Sequence, residues 1–240
     1  MARNSFFKFK QFTINQDQCA MKVCTDACVL GAWADVENAE RILDIGAGTG
    51  LLSLMVAQRN HRATIDAVEL DREAYTQASR NTANSPFKNR IAIFNDAIQD
   101  FSSDGKYDCI ITNPPFFQSD LRSPDLKINQ AHHSESLTFQ DLLKSIDRLL
   151  TEKGKWNILL PVDEGIIFQD LAEKAGWFLE RKLTLFHQKE KKPFRLLMIF
   201  SKLELADIVD VNSDLFIYGE DGRTYHPEFK KLMKDYYLIF

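Results

Sequence analysis

From Arg41 to Ala175 the sequence changes hydrophobic period again and again, and that alternation limits the folds open to it. "RILDI" has the composition of a buried strand, and Leu51 to Gln58 carries apolar residues at helical spacing. "ATIDAVEL" again reads as a strand, Arg72 to Asn84 as a helix, and "RIAIF" and "YDCIIT" as two further strands. Thr138 with Asp141 forms a capping-box-like start for a helix whose apolar face is Phe139, Leu142, Leu143, Ile146, Leu149 and Leu150. "KWNILLP" follows as a strand, Val162 to Ala175 as a helix stopped by Gly176, and "FLERKLTLF" with "FRLLMIFS" as a closing antiparallel pair. Strands that alternate with helices need crossovers on both faces. The expected fold is therefore α/β and Rossmann-like: a mostly parallel seven-stranded sheet, an antiparallel C-terminal strand, and helices on both faces. Residues 41–240 form its core, residues 1–40 a leading segment, and the whole chain reads as one domain, since no linker composition interrupts it.

In such sheets ligands bind at the carboxyl ends of the strands, near the reversal of strand order. The first strand ends in "LDIGAGTG". Gly46, Gly48 and Gly50 let a ligand approach the backbone, and the next helix offers free N–H groups. The G-x-G-x-G spacing differs from the G-x-G-x-x-G of a dinucleotide pyrophosphate loop. Asp44 brings a carboxylate beside the ligand, which repels a pyrophosphate and suits an ammonium group. Glu69 ends the second strand nineteen residues after Gly50, where a carboxylate can accept ribose hydroxyls. Asp96 and Ala97 follow the third strand, in reach of an adenine edge. A ligand with an amino-acid end and a nucleoside end meets all of these demands, and S-adenosylmethionine is one.

The fourth strand runs into Asn113-Pro114-Pro115-Phe116-Phe117. An amine conjugated to a base or carbonyl is a poor nucleophile, because its lone pair is delocalised. Such a group needs acceptors for its two N–H bonds that aim the nitrogen at a methyl donor. The Asn113 side-chain oxygen and the Pro114 carbonyl can serve, with the prolines holding both rigid. Phe116 can stack on the planar group, with Phe117 beside it.

This combination resembles the class I S-adenosylmethionine-dependent methyltransferases that carry an N-P-P-Y/F motif. "FKFKQFTINQDQCAMKVCTDACVLGAW" and the following "ILDIGAGTGLLSLMVAQR" closely resemble the bacterial tRNA adenine-N6 methyltransferases, which modify the adenine 3′ of the anticodon in a valine tRNA. The similarity extends to a C-terminal "FKKLMKDYYLIF" helix. It implies adenine N6 as acceptor, Asn113 and Pro114 as amine acceptors, Phe116 as the stacking residue, and Lys22, Thr25 and Asp26 in a segment that folds near the cofactor. Phe at 116 departs from the family's frequent Tyr, so stacking is kept and a phenol contact is not. Related N-P-P-Y/F enzymes act on guanine N2 of rRNA, on adenine in DNA or on a glutamine of release factors. A DNA enzyme needs a recognition domain, and a glutamine-directed one usually has an N-terminal helical domain; only about forty residues precede the first strand here. An NAD-dependent oxidoreductase is disfavoured by the loop spacing and the lack of a Tyr-x-x-x-Lys pair.

Net charge is −4, from 30 Lys and Arg against 34 Asp and Glu, which does not by itself advertise a nucleic-acid partner. Its distribution does, since the segment "RKLTLFHQKEKKPFR" holds six basic residues against Glu190 alone. Lys191, Lys192 and Arg195 are the candidates for phosphate contact, with Lys8 or Lys10, and smaller basic groups occur at Lys230, Lys231 and Lys234. His132 and His133, in the polar loop after the N-P-P motif, read as solvated side chains. Cys19, Cys24 and Cys28 miss the C-x2-C spacing of zinc sites, so reduced cysteines and no metal are expected. With no stretch near the ~20 apolar residues of a membrane span and no signal-peptide pattern, the expected location is the cytoplasm.

Overall fold

The computed structural model describes residues 5–19, 22–114, 137–203 and 211–240. A short hairpin, β1 (Phe6–Lys8) and β2 (Thr13–Asn15), precedes helix α1 (Thr25–Trp33). Then come β3 (Arg41–Ile45), α2 (Leu51–Arg59), β4 (Thr64–Glu69), α3 (Arg72–Ala83), β5 (Ile91–Asn95) and β6 (Tyr107–Thr112). The second half holds α4 (Phe139–Leu149), β7 (Leu150–Leu160), α5 (Val162–Lys174), β8 (Phe178–Phe186), β9 (Pro193–Ser201), β10 (Asn212–Phe216) and α6 (Pro227–Met233).

Eight strands form the main sheet, in the order β10-β8-β9-β7-β6-β3-β4-β5. The seven expected strands are joined by β10, which pairs parallel to β8 at the edge. Only β9 runs against the rest, antiparallel to both β7 and β8. Strands buried on both faces need apolar residues on both, and β6 and β7 meet that demand by alternation. Cys109, Ile111 and Leu159 point toward the side of α1 and α2, whereas Ile110, Trp156, Ile158 and Leu160 point toward α4 and α5. On that second face the Trp156 indole stacks on Phe200, with centroids 4.4 Å apart, and meets Phe168 and Trp177 edge-on.

The capping box at Thr138 forms as read: its hydroxyl oxygen accepts from the Asp141 N–H at 3.1 Å and donates to the Asp141 carboxylate at 2.7 Å. Strand β7 begins at Leu150 instead of Lys155. Tyr107 pairs with Leu150 and Cys109 with Lys155, so the polar residues 151–154 are accommodated as an irregularity in the strand where their composition suggests a break. The C-terminal helix is shorter than its sequence pattern, ending at Met233. Beyond it tertiary packing overrides helical continuation: Tyr237 bridges Phe9, the Tyr236 carbonyl accepts from the Lys10 N–H, and the buried Tyr236 hydroxyl donates to the Met55 carbonyl at 3.0 Å. The two ends of the chain thereby cover α2, which is buried from Leu51 to Gln58. Among the described residues no helix is long and apolar enough to cross a membrane, and no cluster of three or more metal-ligating side chains occurs.

Candidate active site

Strand order reverses at β3, which has β4 and β5 on one side and β6 on the other. The carboxyl ends of β3 and β6 therefore border a crevice. Ile45 pairs with Thr112, and the Thr112 hydroxyl donates to the Ile45 carbonyl at 2.9 Å. The glycine loop and Asn113 consequently leave the sheet side by side, though 67 residues separate Ile45 from Thr112 in sequence.

Gly46, Gly48 and Gly50 all have positive φ, at 75°, 55° and 81°. A Cβ placed on Gly46 or Gly48 would meet nothing within 4 Å, so these two line open space; at Gly50 it would touch Ala78. The loop is tied to β4 from both sides. The N–H groups of Gly46 and Ala47 donate to the Val68 carbonyl, and that of Gly48 donates to Glu69 Oε2 at 2.7 Å. Glu69 Oε1 accepts from the Asp71 N–H at 2.9 Å. Each oxygen of the expected ribose acceptor thus already holds one backbone donor, leaving about one further acceptor position per oxygen.

Asp44 is fully buried in β3. Its Oδ2 accepts the Ser53 N–H at 3.0 Å and the Ser53 hydroxyl at 2.6 Å. Gly50, at the N-cap of α2, has no side chain to satisfy that N–H, and the strand carboxylate takes its place. Asp44 Oδ1 has no partner. Burial pushes the carboxyl up to about 6, against the Ser53 hydrogen bonds and with added repulsion from Glu69. A buried carboxylate with an idle oxygen, next to a glycine loop bordering open space, fits a ligand bearing an ammonium group. Asp96 and Ala97 follow β5, half-exposed, with the Asp96 N–H donating to the Glu69 carbonyl. Two residues that the motifs did not single out complete this edge. Leu70 is 61% exposed, and the Asn95 side chain donates to the Glu69 and Leu70 carbonyls at 2.9 Å each.

Asn113 is half-buried, and its Oδ1 is wholly buried and unpartnered. Pro114 is buried beside it. Pro115, Phe116, Phe117, His132 and His133 lie outside the described residues. Away from the glycine loop, Asn113 opens into a cleft of about 470 Å³. One wall comes from Lys22, Thr25 and Asp26, the other from His187, Phe194 and Tyr218. The His187 and Phe194 rings lie parallel, 4.0 Å apart and 2° from coplanar alignment. These aromatics flank the basic run in "LFHQKEKKPFR", and that interleaving of rings and charges is the sequence signal that could have found them.

The basic candidates separate. Lys191 and Lys192 are exposed in the turn between β8 and β9, on the same edge of the sheet as Asn113. Arg195 is turned inward, its Nε donating to the buried Asp26 carboxylate at 2.7 Å while its guanidinium lies 5.5 Å over the Phe194 ring. Arg195 and Asp26 thus hold the cleft's two walls together, and Thr25 alone of the two α1 candidates leaves its side chain outside that ion pair.

Residues 27–161 match the family model described as a methyltransferase small domain. The chain is 64% identical over its full length, and the relative's, to a protein of Dyadobacter fermentans named tRNA1(Val) (adenine(37)-N6)-methyltransferase. A protein of Tolumonas auensis with the same name is 42% identical, covering 97% of this chain and 96% of its own. Among solved structures, a predicted O-methyltransferase of Agrobacterium tumefaciens aligns over 88% of this chain and 96% of its own, with a TM-score of 0.66 and 17% identity. A ribosomal protein L11 methylase of Lactobacillus delbrueckii aligns over 78% and 83%, with a TM-score of 0.54 and 17% identity. At such identity the structural likeness concerns the fold alone.

Proposed function

The chain belongs to the methyltransferase small-domain family, with the tRNA1(Val) (adenine(37)-N6)-methyltransferases as full-length relatives, and on that premise we propose that it methylates N6 of adenine 37 in a valine tRNA. S-adenosylmethionine, when bound, supplies the electrophilic methyl group. Asp44 Oδ1 would hold its ammonium group, Gly46 and Gly48 would give it backbone access, and Glu69 its ribose hydroxyls, with Asp96, Ala97 and the exposed Leu70 around the adenine. Thr25 lines the adjoining cleft with Asn113 and would approach the cofactor from that side. The chain acts as one domain, because the leading segment packs into the core shared by α1, α2 and the C-terminal residues.

The acceptor adenine must leave its stack for its exocyclic amine to reach Asn113. Asn113 Oδ1 and the Pro114 carbonyl each accept one N–H of the exocyclic amine, which fixes the nitrogen with its lone pair, normal to the ring plane, aimed into the crevice and drawn out of conjugation. No general base is needed before transfer: the nitrogen would gain the methyl as its bond to the sulfonium sulfur breaks, S-adenosylhomocysteine would leave, and the extra proton, acidic only once the new bond has formed, would pass to water. The family resemblance gives Phe116, with Phe117, the role of stacking on the base. The observation that carries this reading is the buried, partnerless Asn113 Oδ1 at the strand-order reversal, an unmet acceptor where an amine donor is required.

Incubating the protein with unmodified tRNA and S-adenosylmethionine, then analysing nucleosides by mass spectrometry, tests the reaction. N6-methyladenosine is expected, at position 37 when the RNA is mapped. N2-methylguanosine, or no methylated nucleoside, would overturn the assignment.

Lys191 and Lys192 extend the substrate surface at the β8–β9 turn. Reversing both charges (K191E/K192E) is expected to weaken tRNA binding and flatten its salt dependence, by about 0.7–0.9 in log–log slope for each phosphate no longer neutralised. Calorimetric affinity for S-adenosylhomocysteine should not change. An unaltered salt slope would place the phosphates elsewhere.

A further inference from the structure

A second basic surface lies beyond the acceptor cleft. An open groove of about 710 Å³ runs along α6 and the C-terminal residues, lined by Arg223, Lys230, Lys231, Lys234, Tyr225 and Phe240. None of its four cations enters an ion pair among the described residues. Lys230, Lys231 and Lys234 are all exposed. Lys230 and Lys231 stand in the last turn of α6, where cations complement the helix dipole, and with Arg223 and Lys234 they gather four positive charges around one concavity that complements a polyanion.

The groove joins the cleft through a pair of stacked rings. Tyr218 and Tyr225 face each other across an antiparallel bridge, with ring centroids 5.1 Å apart. Tyr218 lines the cleft with Asn113, and Tyr225 lines the groove. Tyr225 also stacks on the buried Phe229 at 5.4 Å, which fixes the pair to α6. The turn between the tyrosines is pinned by Asp221, whose Oδ1 accepts the N–H groups of Arg223 and Thr224 and whose Oδ2 accepts the Thr224 hydroxyl at 2.5 Å. Asp221 is therefore directed into its own turn, and Arg223 is held at the groove's rim.

We propose that this groove binds the RNA phosphodiester backbone as the strand leaves the acceptor cleft over Tyr218 and Tyr225. The β8–β9 turn and the groove then grip the substrate on two sides of the extruded adenine. The inference rests on the tRNA reading above, and the two can fail separately.

Anisotropy titrations of a labelled tRNA transcript over a salt series test it, comparing the unmodified protein, K230E/K231E, and a control, K106E/K153E, near the amino ends of β6 and β7. K230E/K231E is expected to bind tRNA at least about tenfold more weakly at 0.1 M salt, with the log–log salt slope reduced by about 0.7–0.9 for each phosphate released from the groove. The control should change neither, and methyl transfer at saturating tRNA should persist, so that the loss is one of KM. Should charge reversal perturb folding in a thermal melt, K230Q/K231Q replaces it with the same direction expected. Unchanged affinity and slope, with tRNA methylated normally, would overturn the groove assignment alone and redirect it toward an acidic protein partner. Failure of the unmodified protein to methylate tRNA would overturn the tRNA reading and the groove with it.

Discussion

Replacing Asn113 by alanine is expected to lower the rate of methyl transfer by about 10²–10³-fold, the usual cost of removing one preorganised hydrogen-bonding group from a reacting centre. S-adenosylhomocysteine binding should stay as it is, because the glycine loop is held by Val68 and Glu69 and makes none of its ties through Asn113. The expected stability change has an unusual sign. Asn113 Oδ1 is buried without a partner, and removing a buried unsatisfied acceptor relieves a desolvation cost of about 1–3 kcal/mol. The variant should melt no lower than the parent, less whatever packing the truncated side chain gave up. A protein that is inactive, binds the cofactor product and melts normally would locate the defect in amine positioning. Retained turnover would falsify the proposed role of the Asn113 oxygen. A sharp drop in melting temperature would mean that the amide is a structural group, and the site would need another acceptor.

That prediction could be framed from sequence, because the N-P-P motif sits at a strand end whose place in the sheet follows from strand–helix alternation. What sequence could not supply was the partner of each charged group. Arg195 belongs to a run of basic residues and reads as a surface cation, yet it pairs with Asp26, 169 positions away, to brace the cleft. No local pattern encodes a contact at that separation. Glu69 was legible as a strand-end acid but not as the group that holds the Gly48 and Asp71 N–H donors. His187, Phe194 and Tyr218 come from two segments that meet only after β8, β9 and β10 assemble, and so the acceptor cleft escaped the motif reading. β10 is short and its edge position leaves three of its five residues exposed, which blurs the alternation that marks an inner strand. The hairpin β1–β2 has three residues per strand, too few for any period to register.

The cleft also explains why a basic surface need not show in the net charge. Arg195 and Asp26 cancel each other inside the protein, so that neither adds to the charge a polyanion would meet. The cations that could meet RNA are concentrated at the β8–β9 turn and along α6. A salt-dependent affinity is then set by a few residues on one edge of the sheet and not by the isoelectric point.

Cofactor affinity is expected to depend on Asp44 in a way that pH exposes. Burial holds its carboxyl at about 6 in the unliganded protein, against an ordinary value of 3.8. Between those two pH values the folded state binds more protons than the unfolded state, so this group's contribution to stability falls as pH rises through the window. Keeping it ionised at neutral pH costs the fold about 3 kcal/mol by that linkage. A cationic ligand group against Oδ1 favours the ionised form and offsets the cost. Binding of S-adenosylhomocysteine should therefore be level above about pH 7 and weaken below pH 6, approaching tenfold per pH unit as protonation of one group comes to dominate. Asp44→Asn keeps an acceptor for Ser53 and removes the charge. It should bind the ligand much more weakly at pH 7, show little pH dependence between 5 and 7, and melt higher than the parent at pH 7 when no ligand is present. A pH series of calorimetric titrations on both proteins, with melts alongside, reads all three effects. Equal affinity of the two proteins at pH 7 would remove Asp44 from the cofactor site and leave it as the cap of α2 alone.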